Sequence, residues 1–551
     1  MGRIDTAANL TAVVAGFLLF LVLSVAYRAW GSARIERYLR GGAAFLASRG
    51  LFRVPVGRDE VRINLFRILV GVLFLVRSTW TAVFLFDSTG SIGSQVAGVV
   101  VLLLGIMFTV GLMTPIASIL LLFTNVMLLD YALGTYSLGS DVFLMLLLTF
   151  AFVPAGTRLS LDAAIMAQGG RWASAIGRIY DFFGRPTLYR LIGAKFLCLL
   201  SYSMLCLYSV SLHISEPFWL SGEVVLQIVT SSYLSRHYAF FRELITTYPM
   251  AITLGVLSMR IMIAWYIAFL PCILIGGWLR RAVILWAFVF FCASLFVLQV
   301  SFLPYYEFTM LGLLFWNNWP FNRWAGARAA AVGDAGRPRE ISPAPSGMPL
   351  HPSRISRATF NAFVSIHLVL ALAFAVFLPV SPLFPPPPLL KGVMHVYGMM
   401  EINVFNKEDL YMGEHWFTIE TIDESGAAHL VPFTGPDGER LAWHTSDRVY
   451  FGVSLRWRRI YNFKDDFCYS QRDWSLMRNL LRWSQEWASE PVRAYRLAYY
   501  FQPSIDLSDL TNLKVAPIQT VCTVVLDRHG TVLSQERGNY VGLSKASSGA
   551  N

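Results

Sequence analysis

The sequence predicts an all-α polytopic membrane bundle of about ten transmembrane helices, followed by an extramembrane α+β domain rich in strand. Three observations carry this. Hydrophobic residues make up 55% of the chain and charged residues 14%, and mean hydropathy is +0.53; a soluble domain carries about 25% charged residues. Apolar runs of bilayer-spanning length, roughly 18 residues or more, recur up to about Val380, and only a helix satisfies its own backbone in hydrocarbon. From about Lys391 the composition becomes that of a soluble domain. The net charge of +11 does not point to nucleic acid, because the arginines cluster in loops between apolar runs, the positive-inside pattern of membrane insertion.

The first run, Ala8–Tyr27, reads as an anchor helix rather than a cleaved signal peptide. Arg28, Arg34, Arg37, Arg40, Arg49, Arg53, Arg58 and Arg62 follow and belong inside, with Gly41–Ser48 an amphipathic piece on the membrane surface. Further helices are expected at about Ile63–Phe86, Gln95–Met113, Pro115–Leu133 and a short Asp141–Val153. After a basic loop from Arg158 to Arg190 come Leu191–Leu212, a stretch to Glu243 too polar to span, then Met250–Trp278, Ala282–Leu303, a short Tyr305–Trp319, and Ala358–Val380. Counting crossings from an outside N-terminus puts every strongly basic loop inside. The division is 1–62 anchor and basic segment, 63–320 transmembrane core, 321–357 flexible basic linker, 358–382 last span, and 383–551 outer domain. The expected location is a bacterial inner membrane, with the C-terminal domain in the periplasm.

In the outer domain, HWFTIETIDESGAAHLVPF and TVCTVVLDRHGTVLSQ read as hairpins and VRAYRLAYYF as a strand. Ser470–Ser489 has helical spacing. Cys468 and Cys522 lie on the oxidising side, as a disulfide or as two thiols. No CxxC spacing occurs, so no metal site is expected.

Ionisable residues at membrane depth are the candidate site, because each needs a partner or a wet cavity. Arg67 and Arg77 either meet a lipid or quinone head, or pair internally with Asp130 or Asp141. Asp141 also stands where it caps a helix. Arg158, Ser160 and Asp162 fix an inner turn. Lys195 either snorkels to the interface or serves as a base in a cavity. His213, beside Glu216 and Trp219, is either an interfacial histidine or a proton carrier. Arg260 needs Asp130, Asp141 or an anionic lipid head, and His367 is structural.

INLFRILVG opening a helix, then GLMTPIASILLL, then Gly-Ser-Asp before a helix ending in PAGTRLSLDA, resemble in their order the horizontally transferred transmembrane domain. That domain is the membrane core of the vitamin K-dependent gamma-glutamyl carboxylase family. YSVSLHISEPFWLSGEVV resembles the family's Trp-x-x-Gly segment, and MMEINVFNKEDLYMGEHWFTIETIDESG resembles its entry to the outer domain. The likeness covers about Ile63–Trp319, and more weakly Val380–Phe463. It implies a reaction in which a reduced quinone and oxygen generate a base that takes a glutamate γ-proton before attack on carbon dioxide. The position of the family's catalytic lysine falls on His213 or Ile214, nothing acidic lies between Glu243 and Glu307, and the eighth helix has no histidine. The expectation is therefore a non-catalytic membrane subunit or scaffold. It would bind phospholipid or quinone, and would dock a membrane-protein partner through its first and tenth helices or its outer domain. The alternative is a quinol-dependent carboxylase-like enzyme or oxidoreductase using His213 or Lys195.

Overall fold

A computed structural model describes residues 6–29, 33–52, 56–88, 92–131, 139–153, 155–184, 187–214, 217–230, 235–248, 250–298, 302–316, 354–380, 387–399, 414–430, 491–502, 519–529 and 531–538. The helices in chain order are α1 (Thr6–Ala29), α2 (Ala33–Ser48), α3 (Val56–Ser88), α4 (Ile92–Val110), α5 (Thr114–Tyr131), α6 (Gly139–Phe152), α7 (Leu161–Gln168), α8 (Gly170–Phe183) and α9 (Leu188–His213). They continue with α10 (Pro217–Ser221), α11 (Glu223–Thr230), α12 (Tyr238–Thr247), α13 (Met250–Ile275), α14 (Gly277–Phe296), α15 (Leu303–Phe315), α16 (Arg354–Val380) and α17 (Pro388–Val396).

Among the described residues, five helices are long and apolar enough to cross a membrane: Thr11–Ala29, Tyr189–His213, Met250–Ile275, Gly277–Phe296 and Ile355–Phe377. Ten spans are not supported. Gln95–Val110, Thr114–Asn125 and Val142–Phe152 are apolar but shorter than a bilayer crossing. Hydropathy alone does not distinguish a lipid-facing run from one enclosed by protein. Val142–Leu147 of α6 is wholly enclosed by other helices, so its apolarity serves a protein core rather than contact with lipid. The polar stretch after α9 forms the short α10, α11 and α12.

Helix α9 is the hub, packing against α2, α6, α13, α15 and α16. The α3–α4 seam is close because its contact positions are small: a Cβ on Gly71 would stand 2.9 Å from the Thr109 Cα, and one on Gly105 2.9 Å from the Phe74 ring. Basic segments meet at one end of the bundle. Arg190 at the start of α9 bonds Ser356 at the start of α16, and Arg280 of α14 donates to the Arg49 carbonyl at 3.1 Å.

The first and last predicted spans, α1 and α16, pack on each other, with Tyr27 and Ser365 hydroxyls 2.8 Å apart. Helix α17 then turns back into the bundle. Tyr397 donates to the Gly16 carbonyl of α1 at 3.2 Å, and Val393, Met394, Val396, Tyr397 and Met399 join the helical core, although the sequence division placed them in the outer domain. The Met399 amide bonds the Met394 carbonyl at 2.9 Å, the closure of a helix ending in a left-handed glycine. That glycine, Gly398, has φ +76°, and its Cβ would lie 3.2 Å from Leu148 and 3.4 Å from the Ser201 Oγ, mid-way along α9. Gly398→Ala is expected to cost about 1–2 kcal/mol for the left-handed conformation alone, read as a lower unfolding temperature in detergent.

The remaining described chain is one antiparallel sheet of β1 (Glu414–Asp423), β2 (Ala428–Leu430), β3 (Val492–Gln502), β4 (Gln519–Asp527) and β5 (Val532–Arg537), in the order β2-β1-β3-β4-β5. Register aligns Ile419 with Leu497 and Val524, and Thr421 with Tyr495 and Leu526. All six are buried, so one face is covered, while Glu420 and Arg496 pair at 2.8 Å on the other. Both predicted hairpins form. Cys522 is disulfide-bonded; Cys468 and the expected helix at 470–489 lie outside the described residues.

In the first hairpin turn the Asp423 carboxylate accepts from the Ser425 hydroxyl at 2.6 Å, the Ala427 amide at 2.9 Å and His429 Nε2 at 3.0 Å. Those bonds, from Ser425 first and then His429, hold its carboxyl well below the ordinary aspartate range. A depressed carboxylate contributes stability that is present above its unfolded pKa and is lost as pH falls through the folded one. The turn is therefore expected to stay closed near pH 4, where a free aspartate takes up its proton, and to open only in stronger acid. Exchange of the Ala427 amide against pH checks this, with Asp423→Ala as the open control.

Candidate functional site

At the basic end, the α4–α5 turn and the segment leading into α7 are knotted by two ionisable residues. Arg67 of α3 is fully buried. It donates from one nitrogen to the Phe108 and Thr109 carbonyls, each at 2.6 Å, and from another to the Leu159 carbonyl at 2.7 Å. Asp162, equally buried, accepts from the Met113 amide at 2.8 Å, the Thr114 amide at 3.1 Å, the Thr114 hydroxyl at 3.3 Å and the Tyr180 hydroxyl at 2.7 Å. Burial, reinforced by the neighbouring Asp162, pushes the Tyr180 phenol well above its ordinary range. A raised group contributes stability that is complete below its unfolded pKa and lost only above the folded one. This bond therefore persists past pH 10. Glu60 closes the rim, accepting from the Thr157 hydroxyl and pairing with Arg158 at 3.2 Å. The turn expected of Arg158, Ser160 and Asp162 is this knot, with Ser160 capping α7.

Two further arginines do similar work. Arg190 bonds the Phe183 and Ser356 carbonyls and the Ser356 hydroxyl, with its guanidinium 5.0 Å from the Phe360 ring centroid. Arg280 donates to the Ile273 carbonyl at 2.8 Å. Neither was singled out from the sequence, because an arginine at a helix start reads as a loop charge.

Half-way along the hub helix, adjacent residues point to different neighbours. Ser201 lies 2.9 Å from His367 Nε2 of α16. Tyr202 donates to Glu307 Oε1 of α15 at 3.0 Å. Cys206 and Tyr266 stand close to the same carboxyl, and Phe269 and Phe291 flank Tyr202 with ring centroids at 5.5 and 6.4 Å. The other Glu307 oxygen, Oε2, is buried without a hydrogen bond among the described residues. Glu307 was not among the sequence candidates. The available signal was its isolation, since no other acidic residue falls between Glu243 and Asp334.

The sequence candidates do not converge. Lys195 is buried inside the bundle and engaged there, rather than snorkelling. His213 is buried and stacked flat on Trp219, ring centroids 3.4 Å apart, an enclosed position rather than an interfacial one. Arg77 is buried beside Tyr306. Arg260 is on the exposed face of α13, turned away from the helical core rather than enclosed with an acidic partner. The side chains of Asp130 and Asp141 lie outside the described residues. Among the described residues no three His, Cys, Asp or Glu side chains gather as metal ligands. A comparison with protein-family models, curated proteins and solved structures finds no match to this chain.

Proposed function

We propose that this protein is a membrane-embedded scaffold. Its basic end faces the cytoplasm, its C-terminal sheet stands on the opposite side, and a partner complex docks on it. The observation that carries this reading is where the buried charges go. Arg67, Asp162, Arg190 and Arg280 direct their bonds to backbone groups and hydroxyls of neighbouring elements, so they join helices and leave little capacity for a substrate. The two candidate bases also speak against chemistry at a shared point. Lys195 and His213 stand 18 positions apart on one helix, about 27 Å along its axis, too far to act on one reacting atom.

A second reading, a quinol-dependent carboxylase-like enzyme or oxidoreductase, is favoured by the Tyr202–Glu307 pair, a buried acid with one oxygen unbonded. Mild-detergent purification from the native membrane, followed by mass spectrometry of proteins and lipids, separates the two. A complex of fixed composition without quinone is the expected result. A stoichiometric quinone with no protein partner would sink the scaffold reading and turn attention to Glu307.

A further inference from the structure

Two helices at the basic end are too polar to cross a membrane. Helix α2 turns Glu36 and Leu46 inward, and its Arg40 is tied to Glu36 at 2.5 Å. Tyr38 and Phe45, seven positions apart and so on one face, stand 75% and 53% exposed, while Arg37 is exposed on another face. Helix α8 turns Ile176 and Tyr180 inward. Its Trp172 is 72% exposed, and Phe182 is exposed too. Arg171 and Arg178, again seven apart, are exposed on the face that carries Phe182, which stands one turn beyond Arg178.

Each helix therefore keeps one side against the bundle and turns exposed aromatics and arginines outward together. Contact with water alone explains the arginines but leaves four large rings uncovered. An acidic soluble protein likewise meets the arginines without requiring rings beside the ends of spanning helices. A lipid boundary meets both, since aromatic rings settle at headgroup depth and arginine takes phosphate. The arginines are also available: Arg37, Arg171 and Arg178 make no ion pair among the described residues, whereas Arg67, Arg190 and Arg280 are committed to backbone carbonyls.

We propose that α2 and α8 form an interfacial collar that binds anionic phospholipid headgroups, with Arg37, Arg171 and Arg178 on phosphate and Tyr38, Phe45, Trp172 and Phe182 in the acyl boundary. This rests on the reading that the bundle lies in a bilayer. The test uses the full chain reconstituted in vesicles of equal phosphatidylglycerol and phosphatidylcholine, with mass spectrometry of the lipids retained on mild extraction. Phosphatidylglycerol is expected to exceed its share in the vesicle. The preference should fall roughly fivefold per arginine removed in the Arg37→Gln, Arg171→Gln and Arg178→Gln series, and should weaken for the unaltered protein in high salt. Equal retention of the two lipids, or enrichment indifferent to both salt and the substitutions, overturns the collar while leaving the membrane reading intact. A chain that fails to float with the vesicles overturns the membrane reading and the collar with it.

Discussion

Asp162→Ala is expected to abolish accumulation of folded protein. The substitution leaves the Met113 and Thr114 amides and the Tyr180 hydroxyl without their acceptor in a site closed to solvent. It also removes a carboxylate whose charge favours the buried Arg67 guanidinium. Each orphaned buried donor costs about 1–3 kcal/mol, and breaking a buried charged network about 3–5 kcal/mol. Folded proteins hold only about 5–15 kcal/mol in reserve. Asp162→Asn keeps one acceptor oxygen and should lose roughly half as much, and Tyr180→Phe about 1.5–3 kcal/mol. Size-exclusion of heated, detergent-solubilised protein ranks the three. A monodisperse Asp162→Ala variant with an unchanged melting temperature would show that the α4–α5 turn holds without its carboxylate.

The second large effect is expected at Arg190. Its guanidinium reaches Phe183 at the end of α8 and Ser356 at the start of α16, so one side chain fixes three helices at the basic end. Arg190→Ala should cost about 3–5 kcal/mol, as a buried polar junction loses its centre. Arg190→Lys tests geometry separately from charge. An ammonium cannot present the planar fork that serves two carbonyls at once, so the lysine variant should still lose about 2 kcal/mol. Ser356→Ala removes only a hydroxyl and should lose about 1 kcal/mol. Equal stability of the lysine variant and the unaltered protein would reduce Arg190 to a point charge.

Much of the architecture was legible because it rests on local pattern. The runs that became α1, α9, α13, α14 and α16 announce themselves by length and apolarity. The two hairpins announce themselves by alternation around Asp-x-x-Gly turns at Asp423 and Asp527. The turn held by Arg158, Ser160 and Asp162 was also readable, whereas the capping of α7 by Ser160 was not singled out. What could not be read depends on partners far away in sequence. Val142–Leu147 and a lipid-facing run have the same composition; only the helices around α6 distinguish them. Arg260 and Arg67 look alike in sequence, yet one faces outward and the other is fully enclosed. Glu307 gave no pattern beyond its solitude, and its bond to Tyr202 joins positions 105 apart.

The return of α17 against α1 also bears on the order in which the protein is made. Tyr27 meets Ser365 across 338 positions, and Gly16 meets Tyr397 across 381. Part of the packing of α1 is thus completed only by segments that follow it at these separations. Chains emerge at about 5–20 residues per second, so α1 can meet α5 and α6 early, through Phe17 against Phe123 and Phe20 against Phe152, while the side that takes α16 and α17 waits for tens of seconds. Closure of the bundle is then a late event in biogenesis, set by arrival of the segment from Arg354 to Met399. Nascent chains arrested before that segment would be the form in which α1 is still open to whatever assists its assembly.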